Sequence, residues 1–331
     1  MTDRSTIGVG RARACANIAL AKYWGKSDET LNLPAVPSLS ITLDALVTET
    51  TVTLDDALDA RAGDVVLFDQ KPRDGEDKTR AVELLDRVRA IAGDERRARV
   101  ETVNHFPTAS GLASSASGFA ALATAAARAY GVDASLEQLS AWARRSSASA
   151  ARSLYGGFVE LAAGVVGDDS LAARVVAPAE HWDVCIVIAL ASLKRKKTSS
   201  RDGMIETAKT SPYYPAWVAC APGYFREVRD GVLARDLEKV GVAMEASTFA
   251  MHASALAARP AVRYYAAATA TLLECVESLR SDGVAAYSTM DAGPHVKVLC
   301  MRSDAERVRE ALVATGAAVD VRVARPGPGV Q

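Results

Sequence analysis

Residues 104–131, NHFPTASGLASSASGFAALATAAARAYG, place an unusual number of serines at the entrance of an alanine-rich helix. A helix begins with four backbone N–H groups that have no partner inside the helix, and its dipole makes that end positive. Small residues let an anion approach these groups closely. The added hydroxyl donors are Ser110, Ser114, Ser115 and Ser117. The composition suits a phosphate-binding loop, and it also suits a capped helix whose small residues only pack closely.

Three further charged positions could act on an anionic substrate. Lys22 and Lys26 flank a tyrosine where a predicted strand passes into a loop. Such a pair can bind an anion, or it can protect a sheet edge from unwanted pairing. Arg152 follows the run SSASAA. An arginine beside hydroxyl groups can hold a carboxylate or phosphate through two parallel hydrogen bonds. An arginine in such a pattern is more often simply exposed on the surface.

A carboxylate at Asp291 begins the sequence DAGP between two predicted strands. Aspartate, glycine and proline are typical turn residues, so this position is also explained by a turn alone. A carboxylate held beside a phosphoryl acceptor could instead remove a hydroxyl proton as a general base. The residues by themselves leave both readings open.

The elements that must position these residues alternate irregularly between strands and helices. Apolar residues with a period near two predict strands at 11–22, 37–54 (one long bent strand or a pair) and 97–107. Residues 195–214 read as a linking segment, and the following helical region, to about 279, is predicted to break at Pro222-Gly223 and near Pro260. Strands and helices in clusters favour an α+β fold over a doubly wound parallel sheet.

Composition narrows the class of protein. The 331 residues are 49 % hydrophobic and carry a formal net charge of −1, which fits one large or two smaller globular domains and gives no reason to expect nucleic acid as a partner. Five cysteines without a CxxC pair and four scattered histidines argue against a disulfide framework or a zinc site. With no signal-peptide pattern and no apolar run of about 20 residues, we expect a cytoplasmic protein that does not enter the membrane.

The order of residues in the serine-rich stretch is more specific than its composition. PTASGLASSASG resembles the second motif of the GHMP kinase superfamily, P-x-x-x-G-L-x-S-S-A, which wraps the phosphates of ATP. With this block, those at 17–26, 151–160, 199–204 and 290–294 (NIALAKYWGK, ARSLYGGFVE, SSRDGM and MDAGP) follow the order of the diphosphomevalonate decarboxylase family. The resemblance spans nearly the whole chain.

The resemblance implies a fold and its division. We expect an α+β, two-domain GHMP kinase fold. Residues 1–185 would form the ATP-binding domain, which is ribosomal protein S5 domain 2-like, and residues 186–331 would form a ferredoxin-like C-terminal domain. The family also implies a homodimer.

The resemblance also implies roles for individual residues. Asp291 would lie next to the C3 hydroxyl of mevalonate diphosphate, Lys22 would pair with the reacting centre, and Arg152 would hold the substrate carboxylate. Positions that match the family's other substrate contacts are Asn17, Tyr23, Lys26, Ser147, Ser149, Ser200 and Arg201. Positions that match its ATP-binding loop are Ser110, Gly111, Leu112, Ala113, Ser114, Ser115 and Ser117.

The implied reaction is the ATP- and Mg²⁺-dependent decarboxylation of (R)-5-diphosphomevalonate to isopentenyl diphosphate, ADP, phosphate and CO₂. A phosphomevalonate decarboxylase, a mevalonate 3-kinase and a non-catalytic anion-binding protein of the same fold remain alternatives. The chain departs from the family pattern at Ser146 and Ala148, which replace glycines, and at His295, which replaces an asparagine. A glycine that needed a positive φ could not be replaced in this way without a change of backbone path.

Overall fold

In the computed structural model, the residues described are 8–58, 61, 63–106, 114–193 and 198–331. They form an α+β fold with a seven-stranded sheet, a four-stranded sheet and a two-stranded ribbon. The strands are β1 Val9–Ala21, β2 Lys26–Asp28, β3 Leu33–Pro34, β4 Ser38–Asp55, β5 Val65–Phe68, β6 Lys71–Pro72, β7 Arg97–Asn104, β8 Phe158–Leu161, β9 Arg174–Ala177, β10 Val184–Leu190, β11 Ala286–Thr289, β12 Val296–Met301 and β13 Asp320–Ala324. The α-helices are α1 Glu76–Ala92, α2 Ser114–Ala129, α3 Leu136–Ser146, α4 Ser200–Thr210, α5 Tyr214–Ala234, α6 Leu237–Leu256, α7 Ala267–Ser281 and α8 Ala305–Ala314.

The large sheet is organised around β4, which is one long strand rather than a pair. Along one edge β4 pairs antiparallel with β1, with register shifts between Cys15 and Asn17 and between Ala19 and Ala21. Its other edge is shared, because β7 covers residues 48–55 and β8 covers residues 38–41. These register shifts lie on either side of the segment that contains Asn17, which stays paired with Thr42, and Lys22 follows directly after the strand.

Helix α2 lies unusually close to β1, and this closeness explains the alanine bias of the sequence. A Cβ atom built on Gly10 of β1 would lie 2.0 Å from the carbonyl oxygen of Ala125 in α2. The core between them is formed largely by alanines, including Ala12, Ala14 and Ala121. Small side chains on both elements let the helix backbone approach the sheet, so the N-terminus of α2 is held against the end of the cavity described below.

The small sheet has the order β11–β12–β10–β13 with antiparallel neighbours. One face packs on α7 and α8 through residues such as Val298 and Leu312. The other face belongs to a core shared with β1, β4, α5 and α6, which contains Ile18, Ile41 and Leu299. The two sheets are therefore joined by a continuous apolar core.

Two predictions from the sequence are wrong. The segment 195–214, predicted as a link, contains α4, which begins after Ser199 because the Ser199 hydroxyl accepts a hydrogen bond from the backbone N–H of Asp202. Helix α5 also runs through Pro222 and Gly223 without ending there. The following helices are separated instead at Arg235, which has a positive φ of 57°, and after Leu256, before Pro260.

Candidate active site

A cavity of about 730 Å³ lies where the two sheets meet. Its walls come from the end of β1, the start of α1, the first turn of α2, a 3₁₀ helix at Ala148–Leu154, the start of α4 and the turn between β11 and β12. Every substrate contact expected from the sequence lines it: Asn17, Lys22, Tyr23, Lys26, Ser147, Ser149, Arg152, Ser200, Arg201 and Asp291.

Lys22 lies just beyond β1 and is fixed by both its backbone and its side chain. Its backbone N–H donates to the Ser247 hydroxyl of α6 at 3.0 Å, and its ammonium group donates to the Ala19 carbonyl at 3.0 Å and to Oδ1 of Asp291 at 2.8 Å. The side chain is 2 % exposed. Burial, only partly offset by the Asp291 carboxylate, lowers the pKa of Lys22 to about 8.

Asp291 is held by two ammonium groups, one on each oxygen. Besides Lys22 on Oδ1, Lys297 of β12 donates to Oδ2 at 2.9 Å. Burial by itself would raise the pKa of Asp291, but the two positive charges outweigh it, so the pKa lies well below its usual value. The carboxylate is therefore ionised at neutral pH, and its side chain, 24 % exposed, still borders the cavity.

Sequence reasoning missed Lys297. Its side chain is fully buried and occupies a position of β12 where the alternation of the strand calls for an apolar residue. A lysine in such a strand is a visible signal, because lysine is almost never fully buried unless it is paired. Its partner Asp291 lies only six residues earlier in the chain.

Arg152 is a fully enclosed guanidinium group with neutral partners. Its Nε donates to the Ser40 hydroxyl at 2.9 Å, Nη1 to the Ser38 hydroxyl at 2.7 Å and Nη2 to the side-chain oxygen of Asn17 at 3.3 Å. It is 2 % exposed, and burial lowers its pKa to about 10. A buried cation whose hydrogen-bond partners are neutral is poised to bind an anion that enters the cavity.

The serines and Asn17 form one hydrogen-bonded group beside Arg152. The side-chain amide of Asn17 donates to the Ser149 carbonyl at 3.0 Å and to the Ser153 hydroxyl at 2.8 Å. The hydroxyl oxygens of Ser147 and Ser149 lie 3.1 Å apart. Ser146 ends α3 and Ala148 begins the 3₁₀ helix, and neither has a positive φ. The replacement of the family's glycines therefore leaves this loop without backbone strain.

Cations from three elements gather at the other end of the cavity. Arg201 of α4 pairs with Glu76 at 2.9 Å, and Arg80 of α1 donates to the Ser146 carbonyl at 3.1 Å. Burial, followed by repulsion from Arg201, lowers the pKa of Lys26 to about 8. Arg80 also pairs with Asp77 at 2.6 Å, so Lys26, Arg80 and Arg201 lie among two carboxylates, and the remaining positive charge suits a phosphate group.

The start of α2 contributes the predicted nucleotide contacts only in part. Ser114 and Ser115 line the cavity. Ser117 does not, because its fully buried hydroxyl lies 2.6 Å from that of Thr48 in β4. The other predicted ATP contacts, Ser110, Gly111, Leu112 and Ala113, lie outside the described residues.

The donor groups present fit a magnesium–nucleotide complex. Mg²⁺ prefers oxygen ligands and is usually held through substrate phosphates, water and one or two protein groups rather than by a protein cage. The hydroxyls of Ser114 and Ser115 are oxygen donors of this kind, at the end of the cavity where the helix dipole favours phosphate. The described residues contain no cluster of three or more His, Cys, Asp or Glu side chains.

His295 lies away from the cavity. It is fully buried, and its Nδ1 accepts a hydrogen bond from the backbone N–H of Ala191 at 3.1 Å. It therefore holds the end of β10 against the turn that carries Asp291. All five cysteines are free thiols, and no helix within the described ranges has the length and apolarity that a membrane crossing requires.

Comparison with protein families gives two matches that together cover most of the chain. A model described as "Diphosphomevalonate decarboxylase-like N-terminal domain" matches residues 14–172. A model described as "Mevalonate 5-diphosphate decarboxylase C-terminal domain" matches residues 186–321.

Individual relatives agree. A diphosphomevalonate decarboxylase from Candida albicans is 34 % identical over 321 residues, which cover 89 % of this chain and 85 % of the relative. A solved structure of "MDDEF in complex with MVAPP, AMPPCP and Magnesium" is 37 % identical, with a TM-score of 0.90 and 98 % of each chain covered. Mevalonate diphosphate decarboxylase from Staphylococcus aureus is 34 % identical, with a TM-score of 0.90 over 98 % of this chain and 97 % of that one.

Proposed function

This chain belongs to the diphosphomevalonate decarboxylase family, and we propose that its cavity carries out the family's reaction with the residues described above. The reaction is the ATP-dependent decarboxylation of mevalonate diphosphate to isopentenyl diphosphate, a step of the mevalonate pathway. The cofactors are ATP and Mg²⁺; the solved structure with a TM-score of 0.90 is a complex with MVAPP, AMPPCP and magnesium.

One observation supports the assignment of the reacting centre most directly. Lys22, Arg152 and Asp291 are separated by more than 100 residues along the chain, and their side chains border one cavity with a direct 2.8 Å contact between the lysine and the aspartate. A fold that used these residues only for stability would have little reason to bring two buried cations and a carboxylate to the wall of a cavity, where desolvation is costly.

Asp291 acts first, on the C3 hydroxyl. Its ionised carboxylate accepts the hydroxyl proton while the hydroxyl oxygen bonds to the γ-phosphorus of ATP and the bond from that phosphorus to ADP breaks. The low pKa makes it a weak base, which suffices because phosphoryl transfer depends chiefly on positioning and on charge stabilisation. Lys22 stabilises the ionised form of Asp291 before the proton moves.

Arg152 acts on the C1 carboxylate. Its guanidinium plane is fixed by Ser38, Ser40 and Asn17, so the bound carboxylate is held in one orientation. This orientation aligns the C1–C2 bond with the bond from C3 to the departing phosphate, so the electron pair released with CO₂ forms the new double bond as phosphate leaves. The departing phosphate takes up the proton that Asp291 accepted, and the carboxylate regenerated in this way faces the positive charge that develops at C3.

The cationic end of the cavity holds the diphosphate. Lys26, Arg80 and Arg201 supply its cationic partners, of which Arg80 and Arg201 are paired with Asp77 and Glu76 before substrate binds. The choice of a diphosphate over a monophosphate substrate is supported by the family, one of whose solved structures is a complex with MVAPP. The hydroxyls of Ser114 and Ser115 would hold the magnesium–ATP complex, whose metal neutralises phosphate charge during transfer.

We also propose a homodimer formed through α6. Val242, Phe249 and Leu256 are spaced by seven residues along this helix and are 56 %, 41 % and 40 % exposed. A stripe of large apolar side chains at heptad spacing is typical of a helix that packs against another helix. A second copy of the chain presents the same stripe, so a two-fold axis across α6 would bury both.

The remaining expectations concern domains and compartment. We propose a division near residue 185, supported by the separation of β1–β9 in one sheet and ribbon from β10–β13 in the other. Because β10 begins at Val184, this strand crosses the proposed boundary by two residues. A cytoplasmic location is supported by five free cysteines.

The function is tested with purified protein, ATP and Mg²⁺ and one of three substrates: mevalonate diphosphate, mevalonate 5-phosphate or mevalonate. Release of CO₂ and ADP is measured for each. We expect equimolar CO₂ and ADP from the diphosphate. CO₂ from the monophosphate alone would identify a phosphomevalonate decarboxylase, ADP without CO₂ a 3-kinase, and neither product a non-catalytic binding protein; each of these results would overturn the proposal.

A further inference from the structure

Lys297 occupies a position that a sheet normally gives to an apolar residue. It lies in β12, between β10 and β11, opposite Ile188 on one side and Thr289 on the other. Its neighbour on the same face, Leu299, belongs to the core shared by the two sheets, and the alternate residues pack on the opposite face. Its side chain is 0 % exposed. Placing an ammonium group there carries a large desolvation cost.

The contact that offsets this desolvation is with Asp291. The Lys297 ammonium lies 2.9 Å from Oδ2, and the Lys22 ammonium lies 2.8 Å from Oδ1. The other titratable groups that act on this site are Arg152 on the 3₁₀ helix and His252 on α6, whose pKa burial lowers to about 4, so that it is neutral at physiological pH. Asp291 therefore lies between two lysines that reach it from different sheets.

A purely stabilising ion pair does not explain this arrangement. One carboxylate balances one ammonium, and Lys22 already supplies it, so Lys297 adds an excess positive charge to a buried site. Buried ion pairs are often no more stabilising than well-packed apolar residues of similar size. A methionine at this position would fill the same space without the charge.

We propose that Lys297 is a positioning residue for the reaction: it holds Oδ2 of Asp291 so that the carboxylate keeps one orientation toward the C3 hydroxyl. With only Lys22 in place, the carboxylate could turn about its Cβ–Cγ bond. With both oxygens held, the edge of the carboxylate that faces the cavity is fixed before substrate binds. The role of Lys297 in turnover rests on the proposed function, whereas its hydrogen bond to Asp291 does not.

Two consequences follow from removing Lys297 alone. The proton affinity of Asp291 rises, because one of the two cations that favour its ionised form is gone while burial remains. The turnover number falls, because the carboxylate samples orientations that do not reach the hydroxyl. Affinity for substrate changes little, since Lys297 does not line the cavity.

The test compares Lys297→Met, which keeps the volume and removes the charge, with Lys297→Arg, which keeps the charge. Val298→Ala is the matched control, because it is on the same strand, equally buried and on the opposite face. The carboxyl ¹³C shift of Asp291 is followed against pH in each protein, and kcat and KM are measured at pH 7.

We expect Lys297→Met to raise the pH at which Asp291 titrates by at least about one unit. Its kcat should fall about 10- to 100-fold with KM within about threefold. Lys297→Arg should recover part of both effects, and Val298→Ala should lower thermal stability without moving the titration. An unchanged titration in Lys297→Met, or a kcat loss that Val298→Ala reproduces, would overturn the proposal.

The ¹³C titration and the activity assay distinguish a failure of this proposal from a failure of the proposed function. If the unmodified protein releases no CO₂ from mevalonate diphosphate, the proposed function fails, and with it the role of Lys297 in turnover. The ¹³C titration still decides whether Lys297 holds Asp291. If the protein is active and the titration does not respond to Lys297→Met, the positioning role alone is refuted.

Discussion

Asp291 is the residue on which acid–base chemistry in the cavity depends. Asp291→Asn keeps the shape of the side chain but removes its charge and its ability to accept a proton. We expect CO₂ release to fall by about 10²- to 10⁴-fold, the usual contribution of a general base. Binding of a non-hydrolysable ATP analogue, measured by calorimetry, should persist, because the nucleotide hydroxyls lie on α2.

Asp183→Asn is the matched control for this variant, since Asp183 has a side chain that is 71 % exposed. It should have unchanged activity. Full turnover by Asp291→Asn would show that another group accepts the proton. Loss of both turnover and nucleotide binding would point to a collapsed site and not to missing base chemistry.

The two cavity lysines predict a pH dependence. Burial lowers the pKa of Lys22 and of Lys26 to about 8 in the free protein. Both are charged below this pH and lose their protons as the pH rises through it. Because charged Lys26 holds the anionic substrate and charged Lys22 stabilises ionised Asp291, kcat/KM should fall above pH 8. A plot of log(kcat/KM) against pH should reach a slope near −2.

Lys26→Arg separates the two lysines, because an arginine stays charged throughout this range. The slope in this variant should approach −1, leaving only Lys22 to titrate. A slope that does not change between the parent protein and Lys26→Arg, in rates measured from pH 6 to pH 10, would show that Lys26 does not contribute to the alkaline limb.

Among individual residues, the sequence predicted the charged groups of the site but not the side chains that hold them in place. Lys22, Arg152 and Asp291 stand in recognisable blocks, so they could be named in advance. The support from Lys297, and from the hydroxyls of Ser38 and Ser40 on Arg152, arises only when β4 and β12 are folded against the site. Those side chains look like ordinary strand residues until the tertiary contacts are known.

Among the elements, the close contact between α2 and β1 sets the position of the nucleotide end. Gly10→Ala would place a methyl group 2.0 Å from the Ala125 carbonyl oxygen, so the helix must move away from the strand. We expect a loss of about 1–3 kcal/mol in the free energy of unfolding, as for other overpacked cores, measured by urea denaturation.

Gly223→Ala provides the contrast. A Cβ at Gly223 meets nothing within 4 Å, and the residue lies inside α5. Replacing it should raise the free energy of unfolding by about 0.5–1 kcal/mol, because alanine is the better helix former. Equal effects of the two substitutions would contradict the close packing described here.

The elements themselves were predicted well where periodicity was strong. The long β4 follows directly from the apolar spacing of residues 37–54, which left open only whether they form one strand or two. The predicted break at Pro222-Gly223 failed because both residues lie within a helix that packs against α6, and tertiary packing overrides a local preference. Helix α4 was missed because its polar sequence has a weak apolar pattern, and its start depends on the Ser199 cap.

For the whole molecule, the exposed stripe on α6 predicts dimerisation. Phe249→Lys would place a charge at the centre of the stripe and should convert a dimer to a monomer, measured by light scattering after size exclusion. Val313→Glu on α8, a site that is 50 % exposed, is the control and should leave the dimer intact. A parent protein that is monomeric at micromolar concentration, or a Phe249→Lys variant that remains dimeric, would contradict the proposed interface.

The proposed mechanism depends on where the substrate lies between the two sheets. The most direct measurement is a crystal structure of this protein with mevalonate diphosphate and a non-hydrolysable ATP analogue. We expect the C3 hydroxyl within hydrogen-bond distance of Asp291, the C1 carboxylate on Arg152 and the diphosphate among Lys26, Arg80 and Arg201. A substrate bound with its carboxylate away from Arg152, or with C3 out of reach of Asp291, would contradict the proposed mechanism.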